Sequence, residues 1–301
     1  MSGKISVIVP IYNGEAYIPK MLESLRNQTY KDFEVLLVDD HSTDKSKMML
    51  KDICRKDDRF KLLKPVEKMG TAVKGQEYAI PYCKGDYHFF LSQDDFMDID
   101  FFEKCMATIE AEGADVVIPN CILYYGEERK EKLGEYPIKG NYEIPLDSRK
   151  AFELSIEWKI HGFTIERMDL FKRVGLRADF YNSEEYYKRL LFLDASKIFF
   201  VDTNFYYRQD NPNAITKKRN FFHVDILLTD FMLYKKMVEK GYSKTLCRKH
   251  LKRITIECLK WYYRGIRYGL WYKKNCYALR MLLKTTGLLA CEWAMVIGGR
   301  G

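Results

Sequence analysis

Residues 5–46, ISVIVPIYNGEAYIPKMLESLRNQTYKDFEVLLVDDHSTDKS, hold the pattern that decides the fold. Ile5 to Val9 is a continuous run of β-formers, apolar on both faces, and Pro10 is expected to stop sheet pairing just before Tyr12-Asn13-Gly14. A helical pattern follows near 15–27. Phe33 to Val38 then repeats the doubly apolar run and ends in Asp39-Asp40-His41-Ser42-Thr43-Asp44, where Ser42 or Thr43 is a candidate N-cap for the next helix. Strands buried on both faces suit a parallel sheet covered by helices.

Outward from this stretch the alternation continues, with a helix near 43–56, a strand at Phe60 to Leu63, a helix near 71–83 and a strand at Tyr87 to Leu91. The βαβαβαβ progression predicts an α/β fold, Rossmann-like, with a mostly parallel sheet and helices on both faces. Ligands of such sheets bind at the carboxyl ends of the strands, and each polar motif here follows a strand. The ring of Tyr12 can stack on a nucleobase, although an ordinary strand-to-helix turn presents the same residues. A carboxylate after the second strand can accept hydrogen bonds from a base imide or a ribose hydroxyl. The glycine-rich GxGxxG turn of dinucleotide folds is absent. The fourth strand ends in Ser92-Gln93-Asp94-Asp95-Phe96, a second carboxylate pair. Mg²⁺ and Mn²⁺ take oxygen ligands and often bind through one or two carboxylates plus substrate phosphates, whereas the bland reading of Asp-Asp is a helix cap.

Composition divides the chain. Residues 217–301 hold 19 Lys+Arg against 5 Asp+Glu, a net +14, while the preceding 216 residues carry −6. The pattern changes to long basic helical stretches after Asn211-Pro212-Asn213, which places a domain boundary near 216: 1–216 catalytic, 217–301 a basic, aromatic-rich helical extension. Eight cysteines without CxxC spacing argue against a zinc site and are expected to be buried thiols of a reducing compartment. The short apolar start is not expected to be a signal peptide, and 285–299, interrupted by Glu292, is too short to span a bilayer. Residues 126–149, rich in Gly, Pro and charge, are expected to form a long loop or irregular hairpin serving as an acceptor-side lid.

Residues 5–46, with KGDYHFFLSQDDF at 84–96, YNSEEYYKRLLF at 181–192 and VDTNFYYRQDNPNAIT at 201–216, resemble the large inverting glycosyltransferase family 2, of GT-A fold. The resemblance covers about two thirds of the chain. It implies that Pro10, Tyr12 and Asp40 contact the base and ribose of a nucleotide-sugar donor, most often a uridine nucleotide, with Asp39 in support. It implies that Asp94 and Asp95 hold Mn²⁺ or Mg²⁺ on the diphosphate, although the first aspartate of the family's DxD motif is Ser92 here. The general base corresponds to Glu185, with Glu184 beside it as the alternative. Such a base must sit within about 3 Å of the acceptor hydroxyl. The family's Arg-Asn pair is missing, so its phosphate or ribose role passes to Lys74; Arg208 is either a diphosphate contact or a structural ion-pair partner. His161 is a candidate for the acceptor cleft, against the bland reading of a packed polar residue.

In the basic extension, Leu251, Ile254, Cys258 and Trp261 recur at helical spacing among Arg and Lys, and Tyr268, Trp271, Tyr272, Lys273 and Lys274 follow. This predicts contact with an anionic membrane surface through 246–284. The expected setting is the cytoplasm, peripheral to the inner face of the plasma membrane, with a glycan or lipid-linked acceptor and no nucleic acid. Two other readings stand beside the enzyme: a degenerate member that binds nucleotide sugar without turnover, and a nucleotidyltransferase, for which the lysine- and glycine-rich triphosphate loop is not seen.

Overall fold

The structure, a computed structural model of the 301-residue chain, describes residues 3–132, 144–179, 183–212, 214, 224–267 and 276–297. These fall into two compact units, 1–178 with 187–214, and 179–186 with 215–301.

The first unit is built on strands β1 (Ile5–Ile11), β2 (Phe33–Asp39), β3 (Phe60–Leu63) and β4 (Tyr87–Phe90), joined through helices α1 (Ile18–Arg26), α2 (Ser46–Lys56) and α3 (Ala72–Ala79). There follow β5 (Phe96–Met97), α4 (Phe101–Glu112), β6 (Val116–Tyr124), β7 (Lys130–Lys132), α5 (Ser148–Ile156), β8 (Ile165–Arg167), α6 (Met168–Val174), α7 (Ser183–Asp194) and β9 (Ile198–Arg208). The sheet runs β3-β2-β1-β4-β8-β6-β9-β5, with β7 paired to β6. The β3-β2-β1-β4 half is parallel, as the sequence predicts, and every residue of β2 is buried. Beyond β4 the sheet is mixed, with β8 antiparallel to both its neighbours and β6 parallel to β9. Helix α1 buries Ile18, Met21, Leu22 and Leu25 on one stripe, carries Pro19 in its first turn and ends on a basic residue.

Pro10 does not end β1. The strand continues to Ile11, with Pro10 opposite Val38. Ile8 accepts from Leu91 N on the β4 side, so Pro10, two residues on, directs its missing donor to that side, where β4 pairs β1 no farther than Ile8. Residues 130–132 pair with β6, so the start of the 126–149 segment is a hairpin; 133–143 lie outside the described residues.

The second unit contains α8 (Asp225–Glu239), α9 (Lys244–Arg267) and α10 (Cys276–Ile297). Each of the three packs on the other two. Leu251, Ile254 and Cys258 of α9 are buried with Phe231 and Met237 of α8 and Leu282 and Leu289 of α10. Polar ties reinforce the packing: Trp293 Nε1 donates to Thr255 Oγ1 at 2.9 Å, and buried Glu292 accepts from Tyr234 and Lys235. The stripe read from sequence as a membrane-facing surface, Leu251, Ile254 and Cys258 with half-buried Trp261, is therefore the internal packing face of α9. Tyr268, Trp271, Tyr272, Lys273 and Lys274 lie outside the described residues. No described helix is long and apolar enough to cross a membrane.

Candidate active site

Because β1, β2 and β4 are parallel, the residues that follow them share one edge of the sheet. Side chains then knit these strand ends together. Gln93, after β4, accepts from Tyr12 N at 2.8 Å and donates to Tyr12 O at 3.1 Å, fixing the backbone that carries the exposed ring. Asn13 Oδ1 accepts from Thr43 N at 2.8 Å and Asn13 N donates to Ser42 Oγ at 3.1 Å, which binds the β1 end to the β2 end. Asn13 and His41, at φ 48° and 61°, are two of the three non-glycine residues with left-handed backbone among the described residues. Such strain collects where the surrounding structure holds a functional geometry in place.

Both first-pair carboxylates are buried. Asp39 accepts from Ser42 N at 3.1 Å. Asp40 accepts from Met69 N at 2.5 Å and Gly70 N at 2.8 Å, so it anchors the loop ahead of α3 as well as standing at the predicted base and ribose position. Pro10 lies under α3: a Cβ on Gly75 would come within 2.9 Å of the proline Cβ. Lys74 is exposed in the first turn of α3, where the Thr71 hydroxyl accepts from its N–H at 3.3 Å. The Lys68 ammonium stands 3.7 Å from the centre of the Tyr12 ring, a cation–π contact on the surface predicted to stack a base.

At the second pair, Asp95 is fully buried. Its Oδ1 accepts from Arg208 N at 2.9 Å, and its Oδ2 is buried with no hydrogen-bond partner. Burial and the neighbouring Asp94 push its carboxyl well above the usual carboxylate range. Asp94 accepts from Asn211 Nδ2 at 2.8 Å. A partnerless buried carboxylate oxygen beside a second carboxylate suits a divalent cation, which would neutralise both. Among the described residues no group of three or more His, Cys, Asp or Glu is assembled for a metal.

Arg208 is nearly buried; its Nε donates to Asp94 O at 2.7 Å and its Nη1 to Asp210 at 3.2 Å. These contacts tie together the backbone that presents the acidic pair. His161 is a packed polar residue, donating from Nε2 to Pro119 O at 2.9 Å, its pKa lowered to about 4 by burial. Glu184 and Glu185 are in the first turn of α7, in the 179–186 stretch grouped with the second unit. Gln93, Asn211 and Lys68 are site residues that sequence reasoning missed. Gln93 and Asn211 had no signal beyond lying close in sequence to Asp94 and Arg208, and Lys68 had none.

The half-parallel, half-mixed sheet covered by helices is of the GT-A glycosyltransferase type. The fold matches that of Staphylococcus aureus TarS residues 1–349 in complex with UDP-GlcNAc, at a TM-score of 0.66 and 19% identity over 95% of this chain and 80% of that one. The sequence model of Glycosyl transferase family 2 matches residues 6–175, and the chain belongs to that family. It is 29% identical over 228 residues to glycosyltransferase GlyG of Streptococcus pneumoniae serotype 4, covering 72% of this chain and 74% of GlyG. It is 28% identical to the GalNAc(5)-diNAcBac-PP-undecaprenol beta-1,3-glucosyltransferase of Campylobacter jejuni, covering 60% of this chain and 57% of that protein.

Proposed function

We propose that the protein is a metal-dependent, inverting glycosyltransferase that moves a sugar from a nucleotide diphosphate donor, with UDP the expected nucleotide, to a hydroxyl of a glycan or lipid-linked acceptor in bacterial surface polysaccharide synthesis. The observation that carries this reading is the Asp94-Asp95 pair, Asp95 buried and Asp94 half-buried just past β4, tied through Gln93 to the strand end that presents Tyr12. The donor half follows from that edge. Tyr12 and Pro10 meet the base, Asp40 offers carboxylate oxygens to base and ribose with Asp39 in support, and Lys74, with Lys68 beside the Tyr12 ring, supplies a cation for phosphate. Asp94 and Asp95 would hold Mn²⁺ or Mg²⁺, which supplies Lewis-acid stabilisation of the departing diphosphate.

On the acceptor side, Glu185, or Glu184 beside it, takes the proton of the attacking hydroxyl opposite the leaving group, in a single displacement. Residues 1–216 form the catalytic domain in this reading, and 217–301 an extension that works at the inner face of the plasma membrane. The UDP-GlcNAc bound by TarS and the undecaprenol-linked acceptor of the Campylobacter enzyme support a UDP-sugar and a lipid-linked glycan. The test is UDP release from a panel of UDP-sugars with undecaprenyl-diphosphate-linked acceptors, in Mn²⁺ and in EDTA. The expected result is metal-dependent transfer, lost in Glu185→Gln while donor binding is kept; near-normal transfer in that variant removes Glu185 from the mechanism. A second reading, nucleotide-sugar binding without turnover, is favoured by Ser92 at the first motif position and by the engagement of both Asp40 oxygens. Donor binding without transfer to any acceptor would support it.

A further inference from the structure

Helix α9 carries two distinct apolar faces, about 130° apart around its axis. At 100° per residue, buried Leu251, Ile254 and Cys258 define one face. Ile256, Leu259, Tyr263 and Ile266 fall on the other, and Leu259, Tyr263 and Ile266 are 63%, 60% and 73% exposed. The register of α9 on α10 is antiparallel, with Thr255 against Trp293 and Tyr262 against Thr286. The C-terminal end of α9 and the N-terminal end of α10 thus lie together, and α10 adds exposed Leu279 and Leu283 there. Around these apolar side chains stand Lys260, Arg264, Arg267, Arg280 and Lys284, all exposed. From 258 to 291 the sequence has no Asp or Glu.

We propose that this end of the α9–α10 pair docks on an anionic lipid bilayer, Leu259, Tyr263, Ile266 and Leu283 entering the headgroup boundary and the surrounding cations meeting lipid phosphates. The combination selects the partner. Cations alone would suit any polyanion, but large exposed aliphatic side chains lose solvation cost only in an apolar medium. A second copy meeting this face symmetrically would bring five cations against five, offset at Lys260 by its 2.6 Å ion pair with Glu257. The docking face differs from the stripe that sequence periodicity selects, which is buried inside the unit. It deepens the proposed membrane setting without resting on the transfer chemistry.

The test is co-sedimentation of the full chain with vesicles of phosphatidylcholine alone or with about a quarter phosphatidylglycerol, for the wild type, Leu259→Ser/Ile266→Ser and Lys260→Gln/Arg264→Gln. All substituted side chains are exposed or at the surface, and thermal melts check that the fold is kept. The expected result is binding to the anionic vesicles only, weakened at least tenfold in each double variant. Equal binding to both vesicle types, or variants that bind like the wild type, would overturn the proposal. So would a wild-type dimer that the Leu259→Ser/Ile266→Ser variant breaks with no change in vesicle binding. Vesicle binding that follows the expectation in a protein without donor turnover would sink the proposed transfer reaction and leave this face standing.

Discussion

At Asp95 stability and function pull apart. The carboxylate is buried beside Asp94 with one oxygen lacking a partner, a costly arrangement that only a cation or a proton relieves. Asp95→Asn is therefore expected to melt at or above the wild-type temperature in EDTA while losing the stabilisation that Mn²⁺ with UDP confers, both read in one thermal-shift series. Gln93→Ala removes two hydrogen bonds to the Tyr12 backbone. Its expected cost is about 1 kcal/mol in urea unfolding, since net hydrogen-bond contributions are small at an exposed site, with a larger fractional loss of UDP affinity. Tyr12 and the two acidic pairs were legible in sequence because each directly follows an apolar run. Gln93 and Asn211 were not, because a side chain that holds another segment's backbone, as Gln93 does, or its carboxylate, as Asn211 does, has no spacing signature. Asp40 shows the same limit: nothing in Val38-Asp39-Asp40 foretells that its oxygens hold Met69 and Gly70.

Among the elements, the parallel half of the sheet is pinned at its far side by Glu34. Burial opposes its ionisation, but Lys61 Nζ at 2.5 Å, Lys84 N at 2.6 Å and Ser6 Oγ at 2.9 Å together hold its carboxyl below the usual range. A depressed folded-state pKa contributes stability that is present above the ordinary carboxylate value and is lost as pH falls through the folded one. Glu34→Gln is expected to lower urea stability by about 2 kcal/mol at pH 7, as hydrogen bonds to a charged acceptor do. The gap from wild type should close as pH drops below about 4.5, the ordinary glutamate value; a gap constant from pH 7 to pH 3 would contradict the assignment. The β1-to-β4 progression was readable because its strands are apolar on both faces and its helices carry period-3.6 stripes. The mixed half was not. β5 and β8 are two and three residues long, too short for periodicity, and antiparallel pairing of β8 depends on where the chain returns. For α9, periodicity found an apolar stripe and chose the buried one, because sequence does not say which of two apolar faces meets α8 and α10.

Across the whole molecule, charge and chemistry are segregated: the stretch of −6 carries the carboxylate-lined sheet edge, and the stretch of +14 carries helices with an exposed apolar and basic end. Such asymmetry predicts that vesicle association of the full chain weakens with salt, while UDP binding at the sheet edge responds far less. Raising NaCl from about 0.05 to 0.5 M in the sedimentation assay, in parallel with UDP titration, checks this. The central claim is that the edge formed by Tyr12, Asp39, Asp40, Asp94 and Asp95 is a metal-assisted nucleotide site. Calorimetric titration of UDP into the full chain, in Mn²⁺ and in EDTA, for wild type and Asp94→Asn/Asp95→Asn, tests it most directly. The account predicts saturable binding in Mn²⁺ that falls at least tenfold in EDTA and is lost in the double variant; equal affinity under all of these conditions would contradict it.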